Sequence, residues 1–149
     1  MSTLYLSACA QTLVQSFLKD ISFYDIQLNT SLKNIQKNKK IKNDLSLVFK
    51  KRGEAIYSLN NQNINLFGLA TFNSAQIIFK NKLLKTVVLT SIDDNFEKLY
   101  FKLCDKYGKP KSSPIKNSLN KIYVWSDGKH DLMLKPSKMD YLLKFSFSK

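Results

Sequence analysis

Few residues in this chain are of types that do chemistry. His130 is the sole histidine and follows the dipeptide Asp127-Gly128. Asp131 beside it points to the opposite side of a strand, so a catalytic dyad there needs an orienting carboxylate from elsewhere; an ordinary surface histidine is the alternative. Cys9 and Cys104 are the only two thiols. Two cysteines and one histidine are too few for a disulfide scaffold, or for a Cys/His zinc site built by one chain. Cys104 lies next to the apolar stripe of a helix with no base in view, which makes it a structural thiol. Asp93 and Asp94 read as helix-cap residues rather than metal ligands, and the other acids are scattered. The four glycines are too dispersed for a phosphate-cradling loop. The expectation is a non-enzymatic protein with no catalytic residues, no metal and no cofactor.

Binding is the remaining chemistry. The net charge is +13, from 24 lysines and arginines against 11 acids. Arg52 is the only arginine, so the surface offers point charges rather than the planar forks that read phosphate and guanine bidentately. Lysine, asparagine and isoleucine share AT-rich codons, and a low-GC genome inflates all three without selection for binding. Lys37, Lys39, Lys40 and Lys42 form one cluster and Lys50, Lys51 and Arg52 another. Either suits an anionic membrane, polymer or protein partner in a salt-sensitive way.

At the N-terminus, Leu6-Ser7-Ala8-Cys9 resembles a bacterial lipobox. Small residues occupy the peptidase-facing positions Ser7 and Ala8, Leu6 fits the branched aliphatic position, and Cys9 stands where the lipid is attached. The resemblance implies an envelope lipoprotein anchored through Cys9. Only eight residues precede Cys9, with no basic stretch and no full apolar run, so this reading expects a true start upstream of Met1. Without one, a cytoplasmic location is expected.

The elements that must position these residues follow from the apolar periodicity. Leu13, Val14, Phe17, Leu18 and Ile21 outline a short amphipathic helix, and 23–28 a brief strand. Ser31 caps a helix expected over 31–37 that ends in the first lysine cluster. From Leu45 the period becomes two: Leu45, Leu47 and Phe49 share one face, Lys51 to Glu54 turns, and 55–59 returns. A third strand is expected over 64–72, with Gly68 marking a bulge. The segments 75–80 and 83–90 form a hairpin about Asn81-Lys82. Asp94 to Glu97 has capping-box spacing, and Phe96, Leu99, Tyr100, Leu103 and Tyr107 trace one helical face, ended by Gly108 and Pro110. Residues 109–120 read as a polar loop. Strands 121–126 and 130–135 meet at Asp127-Gly128, and a last strand puts Tyr141, Leu143, Phe145 and Phe147 on one side.

Helix and then strands occur twice, although no residue-level repeat accompanies the order. The expected fold is α+β: an antiparallel sheet with one or two main helices on one face, in a single domain over 23–149. Residues 1–22 are expected to be a signal remnant or tether, or a short helix. The layout resembles the small helix-plus-meander modules of bacterial envelope lipoproteins, among them the outer-membrane-assembly lipoproteins, and the β-lactamase-inhibitor-like fold. That resemblance implies a binding or scaffolding role.

Two segments bear on partners. Tyr123 and Trp125 alternate with Ile122 and Val124, so their strand is either covered on both faces or presents aromatics, in which case Tyr123 and Trp125 are the anchors. Phe67, Gly68, Leu69, Ala70 and Phe72 resemble the aromatic strand motif of RNA-recognition domains, while Asn65 and Leu66 depart from it. The leading expectation is an envelope lipoprotein domain binding an unknown protein or anionic polymer through Lys37, Lys39, Lys40, Lys42, Tyr123 and Trp125. The alternative is a soluble basic module that binds nucleic acid.

Overall fold

From Leu45 onward the alternating pattern builds one antiparallel sheet of eight strands. The computed structural model describes residues 28–59, 64–66, 70–91, 95–114, 121–128, 130–136 and 141–147. Its helices are α1 (Leu32–Ile35), α2 (Lys39–Asp44) and α3 (Phe96–Tyr107). In the first half the strands are β1 (Leu45–Lys51), β2 (Glu54–Leu59), β3 (Ile64–Leu66), β4 (Ala70–Phe72), β5 (Ser74–Lys80) and β6 (Leu83–Ser91). Then come β7 (Lys111–Pro114), β8 (Lys121–Ser126), β9 (His130–Pro136) and β10 (Tyr141–Phe147). The sheet order is β1-β2-β5-β6-β10-β9-β8-β7, and β3 pairs with β4 apart from it.

That order has an internal symmetry. Each half of the chain contributes helix and then four sheet strands, laid down from an edge toward the middle. The halves meet where β6 pairs antiparallel with β10, with Leu143 opposite Leu89 and Tyr141 opposite Ser91. The helix-then-strands order seen twice in the sequence is therefore a pseudo-two-fold arrangement, with β3 and β4 inserted in the first half only.

One face of the sheet makes the core. Leu59, Ala75, Ile77, Val87, Leu89, Leu143, Leu134 and Leu132 are buried on it, and Ile35, Ile41, Leu99 and Leu103 join them from the three helices. The opposite face is mixed. Across it, the register aligns Val88, Lys144, Met133 and Val124 in one row, all half-buried.

Several expectations are corrected in detail. The helix expected over 31–37 stops at Ile35, and a second begins at Lys39. The Ser31 hydroxyl caps α1 by accepting from the Asn34 N–H at 3.2 Å. The Asn38 carboxamide caps α2, accepting from the Lys40 and Ile41 N–H groups at 3.0 and 3.4 Å. The first lysine cluster thus spans the junction and α2 instead of ending α1. The strand expected over 64–72 is two three-residue strands that pair with each other, Asn65 opposite Thr71. The N-cap of α3 is Asn95 rather than Asp94. Within the polar loop expected over 109–120, residues 111–114 are a strand, β7, held by pairing with β8 rather than by apolar content.

The face shared by Leu45, Leu47 and Phe49 is also corrected. Leu47 pairs with Tyr57 but Phe49 pairs with Ile56, so Val48 is an extra residue in a bulge. The bulge flips the alternation. Leu47 stays on the helix side and Phe49 moves to the opposite face.

Candidate partner-binding surface

The two edges of the sheet are built differently. β7 is four residues long, polar, and ends in Pro114. A short edge strand with a charge and a proline resists further pairing. β1 has seven residues and an apolar middle. Leu47, Val48 and Phe49 are 55%, 57% and 44% exposed. Among the described residues no strand pairs with its outer side.

Both lysine clusters flank this edge. Lys37, Lys39, Lys40 and Lys42 are exposed on the α1–α2 junction and α2, which runs straight into β1. Lys50, Lys51 and Arg52 are exposed at the other end, where β1 turns into β2. That turn carries positive φ at Arg52 (32°) and Gly53 (79°), and the neighbouring β5–β6 turn carries it at Asn81 (53°) and Lys82 (67°). The Asn81 N–H donates to the Gly53 carbonyl at 2.7 Å, which ties the turns together and adds Lys80 and Lys82 to the basic end. The two clusters are roughly 20 Å apart at the usual strand rise, more than twice the screening length at physiological salt. Each therefore acts on its own part of a partner. Asp44 and Glu54 are the only acids between Lys37 and Glu54.

The aromatic pair lies elsewhere. Trp125 is 4% exposed, and its Nε1–H donates to the Gly108 carbonyl at 2.8 Å. Tyr123 is half-buried, with its ring centroid 4.5 Å from that of Tyr100 on α3. Phe96 adds contacts to Tyr123 and Tyr141 at 6.3 and 6.0 Å. These rings are the seat of α3. As outward anchors Tyr123 and Trp125 are corrected: of the two alternatives for their strand, coverage holds on this face. The Lys clusters and the pair Tyr123–Trp125 are not brought together.

The orienting carboxylate missing from the sequence reading of His130 is Asp127. Its side chain is 1% exposed. One carboxylate oxygen accepts from the His130 backbone N–H at 2.7 Å, and the other lies 3.3 Å from Nδ1 of the ring. Three-residue spacing across a tight turn is the signal that could have found it. Both oxygens bind one residue across the turn, so the carboxylate closes the β8–β9 hairpin. Cys104 is half-buried on α3, and a hydrogen bond with it, aided by burial, holds the Tyr100 hydroxyl above the usual phenol range. Among the described residues no group of three or more candidate metal ligands occurs. Cys9, Asp93 and Asp94 lie outside the described residues, as do Phe67, Gly68 and Leu69 of the RNA-recognition-like motif. Phe72 of that motif is buried, with its ring against Tyr141 at 5.8 Å.

A family model described as the TP0088 domain matches residues 21–149. The chain belongs to the TP0088 domain family. No curated protein and no solved structure matches it. No helix of this TP0088 domain among the described residues is long and apolar enough to cross a membrane. What its surface can do chemically is attract anions at two separated points and offer main-chain hydrogen bonds with apolar contacts between them.

Proposed function

We propose that this TP0088 domain is a non-enzymatic binding or scaffolding module of the bacterial cell envelope, lipid-anchored through Cys9, that holds a protein or anionic polymer by its lysine-rich surface. The observation that carries the reading is the placement of exposed lysines at both ends of one edge strand, with one acid in each group. Such a surface favours an extended anion over a compact one, since two separated charge clusters are satisfied together only by a partner that reaches both. The lipobox-like Leu6-Ser7-Ala8-Cys9 supports the anchor.

The binding half is tested by titrating the domain with polyglutamate at increasing salt. Affinity should fall steeply between low and physiological ionic strength, and replacing Lys39, Lys40, Lys50 and Lys51 together by glutamine should abolish it. Absence of binding at low salt refutes the surface. The anchor half is tested by metabolic labelling with a radioactive fatty acid in a bacterial host, the protein being expressed from its gene together with the sequence upstream of Met1. Label on the wild-type protein that disappears in Cys9→Ala supports it; an unlabelled wild-type protein refutes it.

A further inference from the structure

We propose that the outer edge of β1 takes up an extended strand from a partner protein, a segment with acidic residues at its ends and apolar residues in the middle. This deepens the reading above and rests on it. Strand addition gains affinity from main-chain hydrogen bonds and specificity from alternate side chains. Natural edges that do not accept strands are short, charged along their length, carry proline, or are twisted away by bulges. β7 is short and carries charge and proline, whereas β1 is seven residues long and, with its single bulge at Val48, leaves Leu47, Val48 and Phe49 exposed.

The bulge at Val48 shapes the partner. It sends Leu47 to the helix side and Phe49 to the opposite face. A strand laid alongside therefore meets an exposed apolar side chain on each face of the sheet, so its central residues must be apolar on both sides. Its ends fall beside the lysines of α2 and those of the β1–β2 turn, which favours acids at both ends.

Charge also decides between a partner and a second copy. Two β1 strands paired antiparallel place Lys50, Lys51 and Arg52 of one copy beside Lys39, Lys40 and Lys42 of the other. Like charges facing across an interface oppose pairing.

The test uses the full chain and a synthetic peptide with a Val-Ile-Val-Ile-Val centre, apolar on both sides, flanked by paired glutamates. Amide hydrogen exchange of residues 45–51 is measured with and without it. The expected result is slowed exchange confined to β1. The protection should vanish when the flanking glutamates are lysines. Val48→Lys, an exposed site, should leave the melting temperature unchanged and weaken the peptide by about tenfold or more, as a charge at an edge blocks pairing. Three results overturn the proposal: no protection at millimolar peptide, peptide binding that leaves β1 exchange unchanged, or protection that rises with protein concentration alone, which assigns the edge to a second copy. Polyglutamate separates this failure from that of the wider reading. If it binds while the peptide does not protect β1, the basic surface stands and strand addition falls; if neither binds, both fall.

Discussion

Replacing Trp125 by phenylalanine tests the seat of α3. The indole is buried on β8 and its Nε1–H holds the Gly108 carbonyl at 2.8 Å, while the Gly108 N–H in turn donates to the Cys104 carbonyl at 2.8 Å. One side chain thus fixes the C-terminal end of the helix to the sheet. Phenylalanine removes the donor and part of the ring. A carbonyl deprived of its partner costs about 1–3 kcal/mol, with the lower end appropriate here because the bond is only partly buried. The volume lost from a packed aromatic cluster adds about 1–2 kcal/mol. The sum, about 2–3 kcal/mol, should lower the melting temperature by roughly 5–10 °C for a chain of this size. The same residue is the only tryptophan, so its emission reports directly on the seat. Wild-type emission should be blue-shifted and shielded from iodide, and polyglutamate affinity should be the same in wild type and variant. A melting temperature unchanged within about 1 °C, measured against the expected shift, refutes the packing argument, as does a freely quenched indole. A loss of affinity without a loss of stability returns Trp125 to the role of an outward anchor.

Four other outcomes follow from the structure. Lys82 has φ of 67°, where a side chain is strained, so Lys82→Gly should raise stability by about 0.5–1 kcal/mol in urea unfolding. Gly53→Ala should lower it, because Gly53 has φ of 79° and a Cβ there meets the Asn81 Oδ1 at 3.0 Å. Asp127→Ala strips the buried carboxylate from the His130 N–H and should cost about 1–3 kcal/mol, with faster amide exchange localised to the β8–β9 hairpin. Tyr107 is a pH case: burial pushes its phenol well above the ordinary value of 10.0. The folded state resists ionisation that the unfolded state undergoes, so this contribution is intact below pH about 10 and is lost progressively above it. Melting temperatures taken from neutral to strongly alkaline pH should show a fall that Tyr107→Phe reduces; an identical fall in the variant refutes the assignment.

The parts of the fold legible in the sequence were those written in apolar periodicity. α3 shows itself through Phe96, Leu99, Tyr100, Leu103 and Tyr107, and the antiparallel hairpins through Asn81-Lys82 and Asp127-Gly128, because burial on one face leaves a period in the chain. β7 left none: Lys111, Ser112 and Ser113 are exposed, and the strand exists because β8 offers it a ladder. Nor did the bulge at Val48, where one inserted residue among three apolar ones looks like unbroken alternation. The basic clusters could be read as clusters, but their placement at opposite ends of one strand could not, since Lys37 to Lys42 were assigned to the end of a helix rather than to the helix that launches β1. Trp125 shows the limit of pattern reading most sharply: an aromatic that alternates with aliphatics fits a covered strand and a presented one equally, and only α3 overhead decides between them.

β10 comes last in chain order among the described strands of the sheet and occupies its middle, between β6 and β9. A nascent chain therefore cannot join the two four-strand units until β10 has emerged. Until then β6 and β9 each lack the neighbour that β10 provides, and the molecule is most open to mispairing just before β10 emerges. A nonsense codon just ahead of β10 would remove a keystone rather than trim a margin. Removing residues 141–147 should accordingly do more damage than removing β7, although both are single strands.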